Sequence, residues 1–457
     1  MRQALEPDLC IIGGGAAGLS IAAVASRLGA KIVLVEAARL GGECLYTGCV
    51  PSKALLAAAA QGLGFEAAYD SMRETIQRIA PQDSPERFTA LGVEVIKADA
   101  RFLDPRTVEA GGKTMRARRF VLATGSRPAL PAIPGLVDGP YLTNETLFDR
   151  APRPAHLIVL GGGPMGTELA QAYRRLGAAV TLVEALRLLP RDDAELAEII
   201  SQRLRHDGVQ ILEGAKATRV EWHEHGVALV LEGHGVPARL EGSHLLVAAG
   251  RRTHIDGLGL DAAGIATSEA GITVDARLRT TNRRVYAAGD AAGGHRLTHM
   301  ASHHAGVIIK NALFHWPAKV DRRAVPWVTY TEPELMQVGL TEDAARTAGQ
   351  RIEILRYPFA EIDRAAIDGA EEGMVKLIAT PDGRLVGGGA VGKGASELAL
   401  PLSLMIGQRL KLSALAGAIV PYPTRAEALA RAAGRYYAPR LFSARTHRLV
   451  RLLARLP

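Results

Sequence analysis

Two stretches of the chain carry one pattern of apolar and polar positions. The apolar run Leu9-Cys10-Ile11-Ile12 meets Gly13-Gly14-Gly15, passes into an alanine-rich stretch, and is followed by a β-branched run that ends in Glu36. The series recurs at an offset of 148 residues: Leu157-Ile158-Val159-Leu160, Gly161-Gly162-Gly163, a helical stretch, then Val180 to Val183 ending in Glu184. A short apolar run predicts a buried strand and the stretch after the glycines predicts a helix, so each copy reads as a βαβ unit. Leu9 to Ser26 is uncharged, but it follows Glu6 and Asp8 and contains three glycines, which fits strand, turn and helix better than a secretory signal.

Further apolar runs end in glycine. Phe120 to Gly125 and Leu245 to Gly250 are each expected to return a strand to the nucleotide-facing edge of its own sheet, and Val285 to Asp290 is expected to join the first unit. This organisation predicts a discontinuous first domain at 1–150 and 271–324, an inserted domain at 151–270, and a third at 325–457. The third opens near Pro326, where alternating Val, Thr and Tyr predict antiparallel sheet. The fold class expected is α/β: two Rossmann-like dinucleotide-binding domains plus a C-terminal α+β domain. Residues 440–457 read as a basic amphipathic helix that admits contact with an anionic membrane surface or docking on its own protein. No transmembrane span is expected, since the best apolar stretch, Leu398 to Val420, is interrupted by Gln408, Arg409 and Lys411.

At 457 residues the chain suits about three domains. The net charge of +8 is concentrated partly at the C-terminal end and is not read as nucleic-acid binding. Three cysteines are too few for a disulfide framework and point to a reducing, cytoplasmic setting, in which the close pair Cys44 and Cys49 is more readily chemical than structural. Cys10, inside a strand, reads as a small buried hydrophobe.

Both copies contain G-x-G-x-x-G, as Gly13, Gly15 and Gly18 and as Gly161, Gly163 and Gly166, with an acidic residue 18 positions beyond the last glycine. The first glycine makes the tight turn, the second lets the backbone reach a pyrophosphate, and the third lets helix and strand pack closely. The helix N-terminus offers N–H groups to phosphate, and Glu36 or Glu184 accepts from a ribose. Between the copies lies Gly41-Gly42-Glu43-Cys44-Leu45-Tyr46-Thr47-Gly48-Cys49-Val50-Pro51-Ser52-Lys53, with a helical run beyond. This puts Cys49 at a helix start, where the dipole and the N–H groups favour thiolate, so the pair reads as redox-active. Zinc would need two further ligands at suitable spacing, and no metal site is expected.

These motifs resemble the FAD-dependent pyridine nucleotide-disulfide oxidoreductases, the family that includes dihydrolipoyl dehydrogenase, glutathione reductase and mercuric reductase. The resemblance rests on Gly13 to Gly18 with Glu36, the Gly41 to Lys53 stretch, Ala123-Thr124-Gly125, Gly161 to Glu168, Gly250-Arg251-Arg252 and Ala288-Gly289-Asp290. It implies FAD on the first unit, contacted by Gly13, Gly15, Gly18, Glu36, Gly42, Lys53, Ala100, Thr124, Gly125, Asp290 and His299. It implies a nicotinamide cofactor on the second, contacted by Gly161, Gly163, Gly166, Glu184 and Gly250. Cys49 would be the flavin-facing thiol, Cys44 the interchange thiol, and Lys53 and Glu168 an ion pair beside the flavin. A homodimer is implied, each active site completed by the partner's C-terminal domain. Glu184 favours NADH over NADPH, with Arg187 as the residue that argues the other way.

The chain departs from the disulfide-reducing members near its end. They carry His-Pro-Thr followed by a Glu that orients the imidazole; here the run is Tyr422-Pro423-Thr424 with Glu427. A phenol of pKa about 10 carries protons poorly near neutrality beside an imidazole of about 6.5. Mercuric reductases also have Tyr there, but they use a C-terminal Cys pair, and here the last cysteine is Cys49. The expected activity is NAD(P)H-dependent electron transfer to the Cys44–Cys49 dithiol and on to a small disulfide or related sulfur compound. A thiol-bound metal substrate, and a non-catalytic redox-sensing flavoprotein, are the alternatives. His295, His299 and His303 recur every four residues on an expected helix, and the family segment Leu297-Thr298-His299 explains them better than a metal does.

Overall fold

The computed structural model describes residues 4–149 and 153–456, so the expected boundary at 150/151 lies outside the described residues. Internal contacts divide the chain into two compact units: Met1–Gly161 with Ala172–Val183 and Ala215–Asp321, and Gly162–Gln171 with Glu184–Gly214 and Arg322–Pro457.

In chain order the elements that carry the first unit's argument are β1 (Leu9–Ile12), α1 (Ala16–Arg27), β2 (Ile32–Glu36), α2 (Gly42–Tyr46), α3 (Cys49–Ala60), β3 (Val93–Lys97) and β4 (Arg119–Leu122). There follow β5 (His156–Leu160), α4 (Pro164–Arg175), whose residues 164–171 are counted in the second unit and which leads to β6 (Ala179–Glu184), then β7 (His244–Val247), β8 (Val285–Ala287) and α5 (Thr298–Ala312). One sheet has the order β8-β4-β1-β2-β3. Its strands are parallel, with Leu9 opposite Ile32 and Arg119, and Val285 opposite Phe120. A parallel sheet is covered on both faces, which is why Leu9, Cys10, Ile11, Val121 and Leu122 are all buried and why the sequence runs apolar without alternation. Burial pushes the Cys10 thiol up to about 12, so it behaves as core. A second parallel set pairs Val180 of β6 with Leu157 of β5, and Leu245 of β7 with Ile158. The C-terminal ends of these strands present the glycines of both copies.

The second unit holds β9 (Pro326–Thr329), β10 (Glu334–Gly339), β11 (Glu353–Pro358), β12 (Met374–Ala379), β13 (Leu385–Gly392), α6 (Glu427–Leu441) and α7 (Ala444–Leu453). The five strands form an antiparallel sheet in the order β9-β10-β13-β12-β11. Leu429, Ala432 and Ala433 of α6 join its core with Val375 and Leu377. The buried Lys376 ammonium is met by Asp193, Glu195 and Glu342 at 2.8, 2.9 and 2.8 Å, the compensation a buried charge requires. The basic helix expected from Arg440 instead starts at Ala444. Arg440 and Leu441 finish α6, and Ser443 caps the new helix by accepting the Thr446 N–H at 3.3 Å. Pro457 lies outside the described residues. No helix among the described residues is long and apolar enough to cross a membrane.

Candidate active site

The strand-to-turn junctions build two matching cradles. Gly13 has φ +110°, and a Cβ there would stand 2.2 Å from the Ala123 carbonyl oxygen; Gly161 has φ +116°, and its Cβ would stand 2.5 Å from that of Ala248. No side chain larger than hydrogen fits either turn. Gly15 caps α1 without a side-chain bond, leaving first-turn N–H groups for an anion. Glu36 accepts the N–H groups of Gly14 and Ala38 at 2.6 and 2.7 Å, and Glu184 those of Gly162 and Leu186 at 2.7 and 2.9 Å. Two bound N–H groups fix each carboxylate at the strand end. Gly18 packs α1 on its strand, where a Cβ would fall 1.9 Å from the Gly13 oxygen. Gly163 faces open space, and Gly166 is buried in α4. Exposed N–H groups beside a fixed carboxylate are the donor and acceptor set of a dinucleotide's pyrophosphate and ribose, so the residues fit FAD on the first cradle and a pyridine nucleotide on the second.

The thiols lie on the continuation of the first cradle. Gly42 opens α2 so close to the glycine turn that its Cβ would be 2.7 Å from Gly15 Cα. Cys44 rides on α2, and Cys49 is the first residue of α3, with Lys53 one turn further along. Thr298, the first residue of α5, places its Oγ1 3.4 Å from Cys44 Sγ and 3.5 Å from Cys49 Sγ, so one hydroxyl touches both sulfurs. The hydrogen bond between Cys44 and Cys49, and then burial, raise the Cys44 thiol well above its ordinary value against the pull of the Thr298 hydroxyl. Both effects favour the protonated form of the Cys44 thiol, while Cys49 stands exposed at the helix start.

Beside them is a polar cluster of which sequence reasoning assigned only Asp290. The Glu43 carboxylate is ion-paired with Arg251 and accepts from Asn144 Nδ2 at 2.9 Å, while the same amide donates to Thr47 O at 2.9 Å. Arg251 also donates to Ser126 Oγ at 2.8 Å, and Ser126 donates to Asp290. Burial pushes the Glu43 carboxyl up to about 7 against the pull of Arg251, with the Asp290 charge adding to the rise. The sequence signal for this cluster was slight: an acidic residue beside Cys44, and an arginine after Gly250.

Of the other expected contacts, Thr124 donates to His254 O at 2.6 Å, Gly125 has φ +72°, and Gly250 has φ +136°. Ala100 is a buried residue at the start of the strand Ala100–Asp104, paired with Ala110. His299 and His303 are exposed on α5, whereas His304 is buried and its Nδ1 accepts the Gly289 N–H at 3.1 Å. His295 precedes α5, so His295, His299 and His303 do not share one helix as their spacing suggested. Glu168, buried on α4, accepts the Tyr330 N–H at 2.9 Å. In the second unit the Tyr422 side chain is 68% exposed and its hydroxyl donates to Asp363 Oδ2 at 2.7 Å, which raises the phenol's pKa further. Glu427 accepts from Thr424 N at 3.2 Å and from Arg431 at 3.1 Å. The partner of Tyr422 is thus Asp363, not Glu427.

A doubled dinucleotide cradle with a dithiol next to the first defines a flavin-type dithiol oxidoreductase. Residues 7–305 match the pyridine nucleotide-disulphide oxidoreductase family and residues 325–433 its dimerisation domain, and the chain belongs to this family of FAD- and pyridine nucleotide-dependent enzymes. It is 36% identical over 453 residues to a dihydrolipoyl dehydrogenase of Thermus scotoductus, covering 93% of this chain and 96% of that protein. It is 33% identical over 446 residues to a mercuric reductase of Staphylococcus aureus, covering 93% and 82%. Among solved structures, the Cu(II) complex of the HOCl-induced flavoprotein disulfide reductase RclA from Escherichia coli matches with TM-score 0.86 and 29% identity, over 92% of this chain and 98% of that one.

Proposed function

We propose that this protein is an NADH-dependent reductase, acting as a homodimer, that delivers two electrons through Cys44 and Cys49 to a small disulfide or related sulfur compound. The observation that carries the proposal is the Thr298 hydroxyl touching both thiols at the mouth of the first cradle. When bound, FAD supplies the two-electron relay between nicotinamide hydride and dithiol. The protein's part is the sulfur chemistry. Cys44 passes its proton to Cys49 and attacks one sulfur of the substrate, forming a mixed disulfide as the first substrate thiol leaves with that proton, which returns Cys49 to the thiolate. Cys49 then attacks Cys44 Sγ, the second substrate thiol leaves, and a Cys44–Cys49 disulfide remains to be reduced. The balance is NADH, one proton and one disulfide giving NAD⁺ and two thiols. Thr298 orients both sulfurs, and the Cys49 position at the α3 N-terminus stabilises its thiolate.

NADH is favoured over NADPH by two features. Glu184 is fixed where a 2′-phosphate would lie in the family arrangement. Arg187, the nearest candidate for a phosphate partner, is spent on the carbonyls of Leu188, Leu189, Pro190 and Asp192.

A second reading is favoured by Tyr422, which stands where disulfide reductases carry their proton-transferring His. In it Cys44 and Cys49 ligate a soft, thiol-bound metal ion that accepts the electrons. The relatives named for mercury and the Cu(II)-bound neighbour support that reading. Because no cysteine follows Cys49, the ion would reach the pair directly from a small thiol.

Anaerobic reduction with NADH followed by stopped-flow mixing with lipoamide, glutathione disulfide or thiol-bound mercury separates the readings. The reduced protein should show a long-wavelength thiolate-to-flavin band that vanishes in Cys49→Ser, since an alcohol supplies no thiolate; a band unchanged in that variant assigns the role elsewhere. Tyr422→His, with Asp363 in reach of the new imidazole, should raise disulfide reduction by about 10²- to 10⁴-fold without changing flavin reduction. Wild-type disulfide turnover already as fast as flavin reduction would show that Tyr422 is no handicap, and rapid oxidation by mercury alone would favour the second reading.

A further inference from the structure

The helix α7 buries none of its residues. Leu449, Leu452 and Leu453 recur at i, i+3 and i+4, so they line one face, and they are 53%, 62% and 50% exposed; Leu456, just past the helix end, is 64% exposed. Arg448 and Arg451, at i and i+3, lie on a face of the helix beside the leucines, and Arg455 follows just past its end. After Glu427 the chain holds seven arginines and no Asp or Glu. The arginines nearer the core are engaged: Arg431 with Glu427, Arg435 with Glu361 and Arg440 with Glu353. Arg445, Arg448, Arg451 and Arg455 make no ion pair among the described residues.

The arm is held out from the unit by a defined corner. Residues of α6 such as Leu429 and Tyr436 are buried, the Ser443 cap restarts the helix, and the Thr446 hydroxyl donates to Arg440 O at 3.0 Å. The family's dimerisation-domain match ends at residue 433, so this arm lies beyond the matched region.

We propose that α7 is an interfacial helix that seats the enzyme on an anionic lipid bilayer. Charge and apolarity together choose that occupant. Leucines sink below the headgroups while guanidinium groups pair with lipid phosphates, and an acid-free segment meets a negative surface without repulsion. A nucleic acid would satisfy the arginines and leave the leucines in water. A groove on a second copy would cover the leucines but gives no reason for an uninterrupted positive charge. At ten residues the helix is about 15 Å long, enough to lie in the interface and too short to cross it.

Flotation of the purified FAD-loaded enzyme with vesicles tests this without reference to its substrate. Wild type should float with equimolar phosphatidylglycerol and phosphatidylcholine at low salt, not with phosphatidylcholine alone, and should be released at about 0.5 M NaCl as screening shortens the Debye length. The triple variants Arg448→Glu/Arg451→Glu/Arg455→Glu and Leu449→Gln/Leu453→Gln/Leu456→Gln should each bind at least about tenfold more weakly, with flavin reduction by NADH and elution volume unchanged. Failure of wild type to float overturns the proposal. So does a leucine variant that binds like wild type, which would reduce the contact to non-specific charge, or one that elutes at a smaller size, which would make a second copy the occupant.

Discussion

In the first βαβ unit Glu36 is held by the N–H groups of Gly14 and Ala38; in the second Glu184 is held by those of Gly162 and Leu186, within 0.2 Å of the same distances. The copies diverge just after that carboxylate. Beyond Glu36 the chain turns through Gly41 and Gly42 into two short helices that carry Cys44 and Cys49 against Thr298. Beyond Glu184 it folds into a loop closed by Arg187 on four of its own carbonyls. In the proposed reading the cradle is a mounting for a nucleotide, and the residues after it decide whether that nucleotide meets a dithiol.

Of the effects that distinguish the two cradles, the largest should come from filling each glycine turn in isolation. At Gly13 and Gly161 a methyl group meets a carbonyl oxygen in a backbone conformation that strains any side chain, which costs about 1–3 kcal/mol, or about 5- to 150-fold in occupancy. Gly13→Ala should purify with little FAD, measured from its visible absorbance. Gly161→Ala should stay yellow but show a raised Kd for NADH. Equal loss of FAD in both would mean the cradles are not divided between the two cofactors.

A smaller effect separates the cradles by charge. NADH should exceed NADPH in kcat/KM by at least about tenfold, near 1.4 kcal/mol, because a phosphate would face the Glu184 carboxylate. Arg187→Ala should leave that ratio within about twofold, as its guanidinium is already used by the loop. A preference for NADPH that Arg187→Ala abolishes would reverse the assignment.

The smallest effect lies in Glu43, which has no counterpart in the second copy. Its folded pKa is raised, so its contribution to stability is complete below the ordinary carboxylate range and is lost as pH climbs through about 7. With 31% of the side chain still in water the loss is on the order of 1 kcal/mol. Thermal unfolding of wild type and Glu43→Gln between about pH 4.5 and 8 should show the Gln variant gaining relative to wild type as pH rises. A difference independent of pH would mean that Glu43 is ionised throughout.

Much of this was legible in the chain because its causes are local. An apolar run between glycines has few places to go other than a covered parallel strand, and β1 and β5 took that form. A proline two residues after Cys49 fits the first turn of a helix, and α3 begins at that cysteine. The C-terminal arm was read as one helix because arginine and leucine periodicity continues across it, while the break at Ser443 depends on a single hydroxyl accepting a backbone N–H.

The sequence by itself determined the family, the doubled nucleotide cradle and the identity of the two thiols, since glycine conformations and side-chain periodicity are set by neighbours along the chain. Only the tertiary structure decided what surrounds the thiols and the tyrosine. Thr298 lies 249 residues from Cys49, Arg251 208 from Glu43, and Asp363 59 from Tyr422. No spacing rule links such residues: a hydroxyl or guanidinium finds its partner only after the sheets have packed and the cost of closing those long loops has been met by buried apolar surface.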